Sequence, residues 1–199
     1  MRHKACLFGL LLLGSAFWLT PALRAQDDCA NAIPATANAI GTSGITGNAE
    51  LCIAEDGIGA SMHVQGLTPG NAYTVWFVVF DNPANCGNYP GGTPGVCTSA
   101  DPILPAASPE GVFGRMDGLI AEDGGRARLA GHYRNLRLSH GSIVWLLMFG
   151  HGPAVTTDNR ELARQLLTPQ KVALGPPGLG ATGDPIQGGG VALAVFNIP

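Results

Sequence analysis

A pentapeptide occurs twice in this 199-residue chain, and it constrains the fold more than any other feature of the sequence. Residues 53–57 and 120–124 both read IAEDG, and each copy is followed by an apolar segment, YTVWFVVF at 73–80 and IVWLLMF at 143–149. In both copies a Val-Trp pair lies at the same distance behind a leucine. We interpret the copies as equivalent hairpins, each with an acidic-Gly turn, a one-sided strand, a second turn and a two-sided strand.

The pattern of apolar residues predicts an all-β domain. Apolar residues alternate with small or polar ones over 58–64 and 126–133, which is typical of strands buried on one face, with His63 facing water. The segments 73–80 and 143–149 are continuously apolar, as in strands covered on both faces, and 191–196 predicts a last strand. We therefore expect an antiparallel β-sandwich of Ig-like or Greek-key type with roughly seven to nine strands.

A single segment has helical periodicity. Asn159–Leu167 places Leu162, Leu166 and Leu167 on one side, and Asp158 precedes it as a capping residue. The segments 81–110 and 168–190 are rich in Gly and Pro and are predicted to be long loops.

The N-terminus has the organisation of a secretory signal peptide. Arg2, His3 and Lys4 form a basic start, and residues 5–19 form an uncharged apolar run that is too short for a bilayer-spanning helix. We expect cleavage after Ala25, which leaves residues 26–199 as one secreted or periplasmic domain. A retained anchor helix is the alternative.

Four cysteines remain after cleavage, an even number for an oxidising compartment. Of the three possible pairings we favour Cys29 with Cys52 and Cys86 with Cys97, because each pair flanks a loop rich in Gly, Pro or Asn. No CxxC motif is present, so a zinc module is not expected.

The charge balance limits the partners. Of the 11 Lys and Arg residues, three lie in residues 1–25, so eight remain against 14 acidic residues, a net charge of about −6. We therefore expect an extracytoplasmic ligand or protein as partner, with no nucleic acid and no membrane insertion after signal cleavage.

The repeat also suggests where a binding site lies. If the two copies are equivalent, the loops after the two apolar strands leave the sandwich at equivalent places and meet at one end. This end would bring together Asp81, Asn82 and His151, which are the predicted binding residues, because functional groups concentrate on loops held by a rigid scaffold.

The chemistry of this predicted site has two readings. His151 with Asp81 as its carboxylate partner would act as a metal ligand or a general base, whereas the simpler reading is a turn histidine before Gly-Pro. The Asp81-Asn82-Pro83 segment offers a single carboxylate to calcium and is better read as an Asx turn. The sequence contains no G-x-S-x-G, Walker or Rossmann motif, so we assign no catalytic residue and expect no metal and no cofactor.

The segment 73–86 together with Gly150-His151-Gly152-Pro153 resembles a family of uncharacterised secreted bacterial proteins. Its members carry a YTVWW-like strand, an F-N-x-P-x-x-C turn and a downstream H-G-P motif. This chain differs from that pattern at Phe77 and Asp81. The resemblance implies a β-rich fold and a secreted location, and it implies no activity.

These observations lead to a functional expectation. We expect a non-enzymatic extracytoplasmic binding or envelope-associated module. The alternatives are a metal-binding protein or metal-dependent enzyme that uses the loop end around His151 and Asp81, and a purely structural domain.

Overall fold

The computed structural model describes residues 29, 31–88, 93–97, 111–167 and 189–199. The predicted signal peptide and most of the second long loop lie outside these residues. The described elements are β1 Ile33–Ala39, β2 Thr46–Ala54, β3 Gly57–Gln65, β4 Asn71–Phe80, a 3₁₀ turn Pro83–Asn85, β5 Gly111–Ile120, β6 Arg126–Arg134, β7 Ile143–Pro153, α1 Asn159–Leu167 and β8 Gly189–Asn197. Among the described residues, no helix has the length and apolar character needed to cross a membrane.

The strands form one antiparallel sheet in the order β5-β4-β7-β8-β1-β2-β3-β6. Its two end strands, β5 and β6, lie against each other. A Cβ atom at Gly131 of β6 would come within 2.7 Å of the Met116 carbonyl oxygen of β5, so only glycine allows this approach. The Asp117 carboxylate also accepts a hydrogen bond from the Ala130 amide at 3.1 Å. The sheet is therefore nearly closed into a barrel.

The all-β antiparallel fold with one short helix is confirmed, but two separate sheets are not clearly present. Strand β1 is the reason. Its residues Ile33–Ala37 pair with β2, whereas Asn38 and Ala39 pair with β8. One strand thus joins the two halves, which would otherwise be the layers of a sandwich, into a continuous sheet.

Strand β4 is buried on both faces, as its continuous apolar sequence predicts. Val75, Phe77 and Val79 contribute to the main core inside the sheet. Trp76 and Phe80 belong to a second apolar cluster on the outer side. There Trp76 stacks on Phe113 at 4.9 Å and Phe80 meets Trp145 edge-on at 4.7 Å. The half of the sheet around β4 and β7 therefore has apolar packing on both sides.

Strands β3 and β6 are buried mainly on one face, also as predicted. Met62 and Leu129 are fully buried in the main core and are register partners. The neighbouring outward residue His63 is exposed. Period-two alternation thus identifies the inner and outer face of this half of the sheet.

Both predicted disulfides are confirmed. Cys29 pairs with Cys52 and Cys86 with Cys97, with Cα–Cα distances of 5.8 and 4.6 Å. The first ties the segment before β1 to β2, and the second closes the loop after β4, where Cys86 packs in the outer apolar cluster. Each closure stabilises the fold by about 3 kcal/mol by restricting the unfolded chain.

The predicted helix and its cap are confirmed as α1. The Asp158 carboxylate accepts a hydrogen bond from the Arg160 amide at 2.8 Å. The residue that α1 buries completely is Gln165, whereas Leu167 is 58% exposed. Polar contacts of Gln165 therefore contribute to the docking of the helix, in addition to the leucines that the sequence pattern predicted.

The repeated segments are not the predicted hairpins, because β3 pairs with β2 and β6, whereas β4 pairs with β5 and β7. Each IAEDG copy lies at the end of a strand, β2 or β5, and is followed by a one-sided strand and a Val-Trp strand. The corresponding strands are neighbours, β3 beside β6 and β4 beside β7, and both pairs are antiparallel. The copies therefore run in opposite directions in the sheet, which decides where their loops emerge.

Candidate functional site

The structure does not bring Asp81 and His151 together. Phe80 pairs with Ile143 at one end of the β4–β7 ladder, and Tyr73 pairs with Gly150 near the other. With a strand rise of about 3.3 Å per residue, these two residue pairs lie about 23 Å apart along the strands. The expectation that both loops meet at one end is wrong. Because β4 and β7 are antiparallel neighbours, the loop that follows β4 and the loop that follows β7 leave the sheet at opposite ends of the strands.

Asp81 organises the connection between β6 and β7. Its carboxylate accepts hydrogen bonds from the Ser142 hydroxyl at 2.6 Å and from the Ser139 amide and hydroxyl at 3.0 and 3.1 Å. The Ser142 hydroxyl, helped by Ser139 and opposed by partial burial, lowers the pKa of Asp81. Its neighbour Asn82 is exposed and makes no side-chain cap to the following 3₁₀ turn. Asp81 thus has a clear role in positioning a turn.

His151 belongs to a buried series of hydrogen-bonded polar side chains. It is 3% exposed, and its Nε2 lies 2.8 Å from the Thr74 hydroxyl oxygen. That oxygen also accepts a hydrogen bond from the Trp76 indole at 3.0 Å. Buried polar groups in such a series fix the local packing, because each would be costly without its partner.

Gln165 of α1 makes hydrogen bonds to the backbone around His151. Its side-chain nitrogen donates to the carbonyl oxygens of His151 at 3.1 Å and Pro153 at 2.9 Å. Its side-chain oxygen accepts from the Val155 amide at 3.0 Å. The helix is thereby fixed to the end of β7, directly over the backbone of the predicted site histidine.

Within the described part of the chain, no three side chains from His, Cys, Asp and Glu come together as a metal site would require. The predicted binding residues are therefore found in separate places: Asp81 in a turn, Asn82 on the surface and His151 in the interior.

A different group of side chains shares one exposed surface, on the outer side of β2, β3 and β6. In register across these strands, Asn48 pairs with His63 and His63 with Arg128, and in the next row Thr46 pairs with Gln65 and Gln65 with Arg126. All are exposed. We call this surface the polar face; its members are Thr46, Asn48, His63, Gln65, Arg126 and Arg128.

The polar face borders an open depression of about 690 Å³. Gly47, which lies between Thr46 and Asn48, is part of the lining. The polar face itself contributes Asn48, His63, Gln65, Arg126 and Arg128. Because neighbouring strands lie about 4.8 Å apart, these side chains sit within reach of a single small ligand or an extended chain.

The polar face holds Arg126 and Arg128 on one strand, and carboxylates flank it on two sides. Glu50 is exposed on the same side of β2, and Asp123 lines an adjacent depression together with Thr46, Gln65 and Arg126. Farther along β6, His132 lies 3.6 Å from the Asp56 carboxylate. The outer side of this half of the sheet therefore carries charges of both signs.

Sequence reasoning missed the polar face, although half of the signal was present. Alternation in β3 and β6 places His63, Arg126 and Arg128 on outward faces. The missing information was that β3 and β6 are neighbours, which depends on the crossover between non-consecutive strands.

No family model, no curated protein and no solved structure matches this chain.

Proposed function

We propose that this protein is an exported, non-enzymatic binding module that acts outside the cytoplasm or at the cell envelope and contacts its partner through the polar face. Two disulfides support an oxidising compartment, where such bonds persist. The apolar N-terminal segment and the resemblance to secreted proteins support export.

The observation that carries the proposal is the difference between the two halves of the sheet. Around β4 and β7 the outer side carries the second apolar cluster, which packs with Cys86 of the disulfide loop. Around β3 and β6 the outer side carries exposed polar and cationic side chains. A broad exposed face on a rigid, crosslinked sheet suits recognition by surface contact.

Binding is favoured over catalysis by the geometry of the titratable groups. The acid–base pair suggested by the sequence, His151 with Asp81, is divided between opposite ends of β4 and β7. Each of the two is engaged in internal hydrogen bonds. A general base must reach its proton directly or through one water, so these two groups do not act together.

Site-specific photo-crosslinking in cells that produce the protein tests the proposal. A benzophenone amino acid at Gln65 should yield adducts of higher mass in the extracytoplasmic fraction, and the same group at exposed Arg160 of α1 serves as the control. N-terminal sequencing of the exported protein should begin at Gln26. Equal adduct yields at both positions, or a protein retained in the cytoplasm, would contradict the proposal.

A further inference from the structure

The sequence contains three aspartates that are followed directly by glycine, namely Asp56, Asp117 and Asp123. Asp56 and Asp123 belong to the two IAEDG copies, so the residues around them are identical from the isoleucine to the glycine. An Asp-Gly peptide is open to attack by its own backbone nitrogen on the aspartate side chain, because glycine has no side chain to obstruct that nitrogen and its backbone is unusually free. A difference in reactivity between the two copies in the folded protein would therefore come from the structure.

The Asp123–Gly124 peptide lies in an exposed turn between β5 and β6. Both residues are exposed, and a Cβ atom at Gly124 would meet nothing within 4 Å. The turn is closed by a backbone hydrogen bond from the Gly125 amide to the Glu122 carbonyl at 3.0 Å. Within the part of the chain that the structure describes, the Asp123 carboxylate takes part in no hydrogen bond or ion pair. Little therefore opposes rotation of this peptide toward the side chain.

The equivalent peptide in the first copy is held in the sheet. Gly57 is buried, and it is in register with Ala54 of β2 and with Arg134 of β6. The Asp56 carbonyl accepts a hydrogen bond from the Asn135 amide at 2.7 Å. Rotation of the Asp56–Gly57 peptide would therefore disrupt pairing on both sides of β3.

The third Asp-Gly peptide lies inside β5. Gly118 is in register with Thr74 of β4. One oxygen of the Asp117 carboxylate accepts a hydrogen bond from the Gly118 amide at 2.7 Å, and the other accepts one from the Ala130 amide of β6 at 3.1 Å. Both carboxylate oxygens and the peptide are thus fixed, so attack at Asp117 requires local separation of strands.

We propose that Asp123 is a site of spontaneous isoaspartate formation in the folded protein, and that Asp56 and Asp117 are protected from it. The Gly124 nitrogen attacks Cγ of Asp123, and the new C–N bond closes a succinimide ring. One carboxyl oxygen leaves as water with the amide proton and a proton from solvent. Water then opens the ring. Cleavage of the bond from the nitrogen to Cγ restores aspartate, whereas cleavage of its bond to the backbone carbonyl carbon leaves the main chain running through Cγ, which is isoaspartate.

The product would alter a turn that contacts the core. Isoaspartate lengthens the main chain by one carbon between Asp123 and Gly124. The next residue, Gly125, accepts a hydrogen bond through its carbonyl from the amide of buried Leu67 at 3.0 Å. Arg126 of the polar face follows directly. Isomerisation would therefore disturb the contact between the β5–β6 and β3–β4 turns, and this inference does not depend on the proposed function.

Peptide mapping of the purified, folded exported protein after storage in neutral buffer tests the proposal. Endoproteinase Asp-N cleaves before aspartate but not before isoaspartate, and electron-transfer fragmentation locates the modified residue. Isoaspartate should accumulate at Asp123 at least about 10-fold faster than at Asp56 or Asp117. Two hydrogen bonds of ordinary strength correspond to about 30-fold in the equilibrium of local opening, which sets this expectation.

Two controls separate the structure from the local sequence. In urea with the disulfides reduced, the rates at Asp56 and Asp123 should agree within about 3-fold, since the pentapeptides are identical. Gly124→Ala should slow the reaction at Asp123 several-fold without loss of stability, because the added methyl group obstructs the nitrogen and meets nothing in the fold. Equal rates at Asp56 and Asp123 in the folded protein, or a faster rate at Asp117, would overturn the inference. Complete Asp-N cleavage at Asp123 after storage that isomerises the unfolded protein would overturn it as well.

Discussion

Replacement of Gln165 by leucine should release α1 from the sheet. The Gln165 side chain is completely buried and makes hydrogen bonds to the carbonyls of His151 and Pro153 and to the Val155 amide. Leucine has a similar size but forms none of these bonds. The substitution therefore removes polar contacts while largely preserving the packing volume.

The expected cost follows from the number of partners left without a bond. A hydrogen bond between neutral groups contributes about 1 kcal/mol, and a buried group left unpaired costs about 1–3 kcal/mol. With one fully buried and two partly buried partners of Gln165, we expect a loss of about 3 kcal/mol in the free energy of helix docking. This loss corresponds to a shift of about 100-fold or more in the docking equilibrium.

Native-state hydrogen exchange measures the effect directly. The amides of α1 that form hydrogen bonds, such as Leu162, should lose protection by about 100-fold, and the amides of β4 should lose less because the sheet persists. Leu167→Ala is the control, since that side chain is 58% exposed and its loss should cost less than about 0.5 kcal/mol. Protection of α1 within about 3-fold of the original protein would show that the remaining contacts, among them the bond from Arg115 to the Leu166 carbonyl, hold the helix without Gln165.

Other substitutions give separate tests. Asp81→Asn should lower the free energy of unfolding at neutral pH by about 1 kcal/mol. Because the pKa of Asp81 is lowered in the folded state, its contribution is present above the ordinary value of 3.8 and is lost as the pH falls below it, so acid titration of stability should be shallower in the variant. Gly114→Ala should cost about 1–3 kcal/mol in urea melts, because a Cβ there overlaps the Tyr133 ring, whereas Gly124→Ala, which meets nothing within 4 Å, should cost less than about 0.5 kcal/mol. Asp158→Ala should reduce the protection of α1 by an amount equivalent to about 1 kcal/mol through loss of its cap.

Local patterns predicted the local structure well. The periodicity of β3, the continuous apolar sequences of β4 and β7, and the capped helix α1 all correspond to observed elements. These predictions are correct because burial on one face produces an alternation of apolar and polar residues, and burial on both faces produces a continuous apolar run. The cysteine pairing was also predictable, because each disulfide closes a short local loop.

Strands β1, β2 and β5 were not individually predicted. Strand β5 contains Gly114, Gly118, Arg115 and Asp117, which interrupt an apolar pattern. The reason is visible in the structure, since the glycines make room for neighbouring side chains and Asp117 bonds the Ala130 amide of β6. The residues of β5 that allow its close approach to a neighbouring strand are small or charged, so they do not show the apolar pattern of a buried strand.

Long-range arrangement accounts for the errors about the site. The sequence shows that two loops follow similar strands, but the direction of β7 relative to β4 is a property of the folded sheet. The same holds for Gln165, which looks like an ordinary surface residue of a helix until its partners on β7 are known. Likewise, the polar face requires β6 to lie beside β3.

The divided pairing of β1 has a mechanical consequence. Among the described residues, Asn38 and Ala39 of β1 are in ladder register with β8, and the Ile40 amide donates to the Val191 carbonyl just beyond them. The seam between the two halves is therefore short, and β1 and β8 run in opposite directions there. Tension applied through the chain on either side of the domain would peel such a pair one bond after another. The Cys29–Cys52 bridge diverts that load from β1 to β2, which is held along its length by β3. A covalent tether thus shields this short join of the sheet from a pull along the chain.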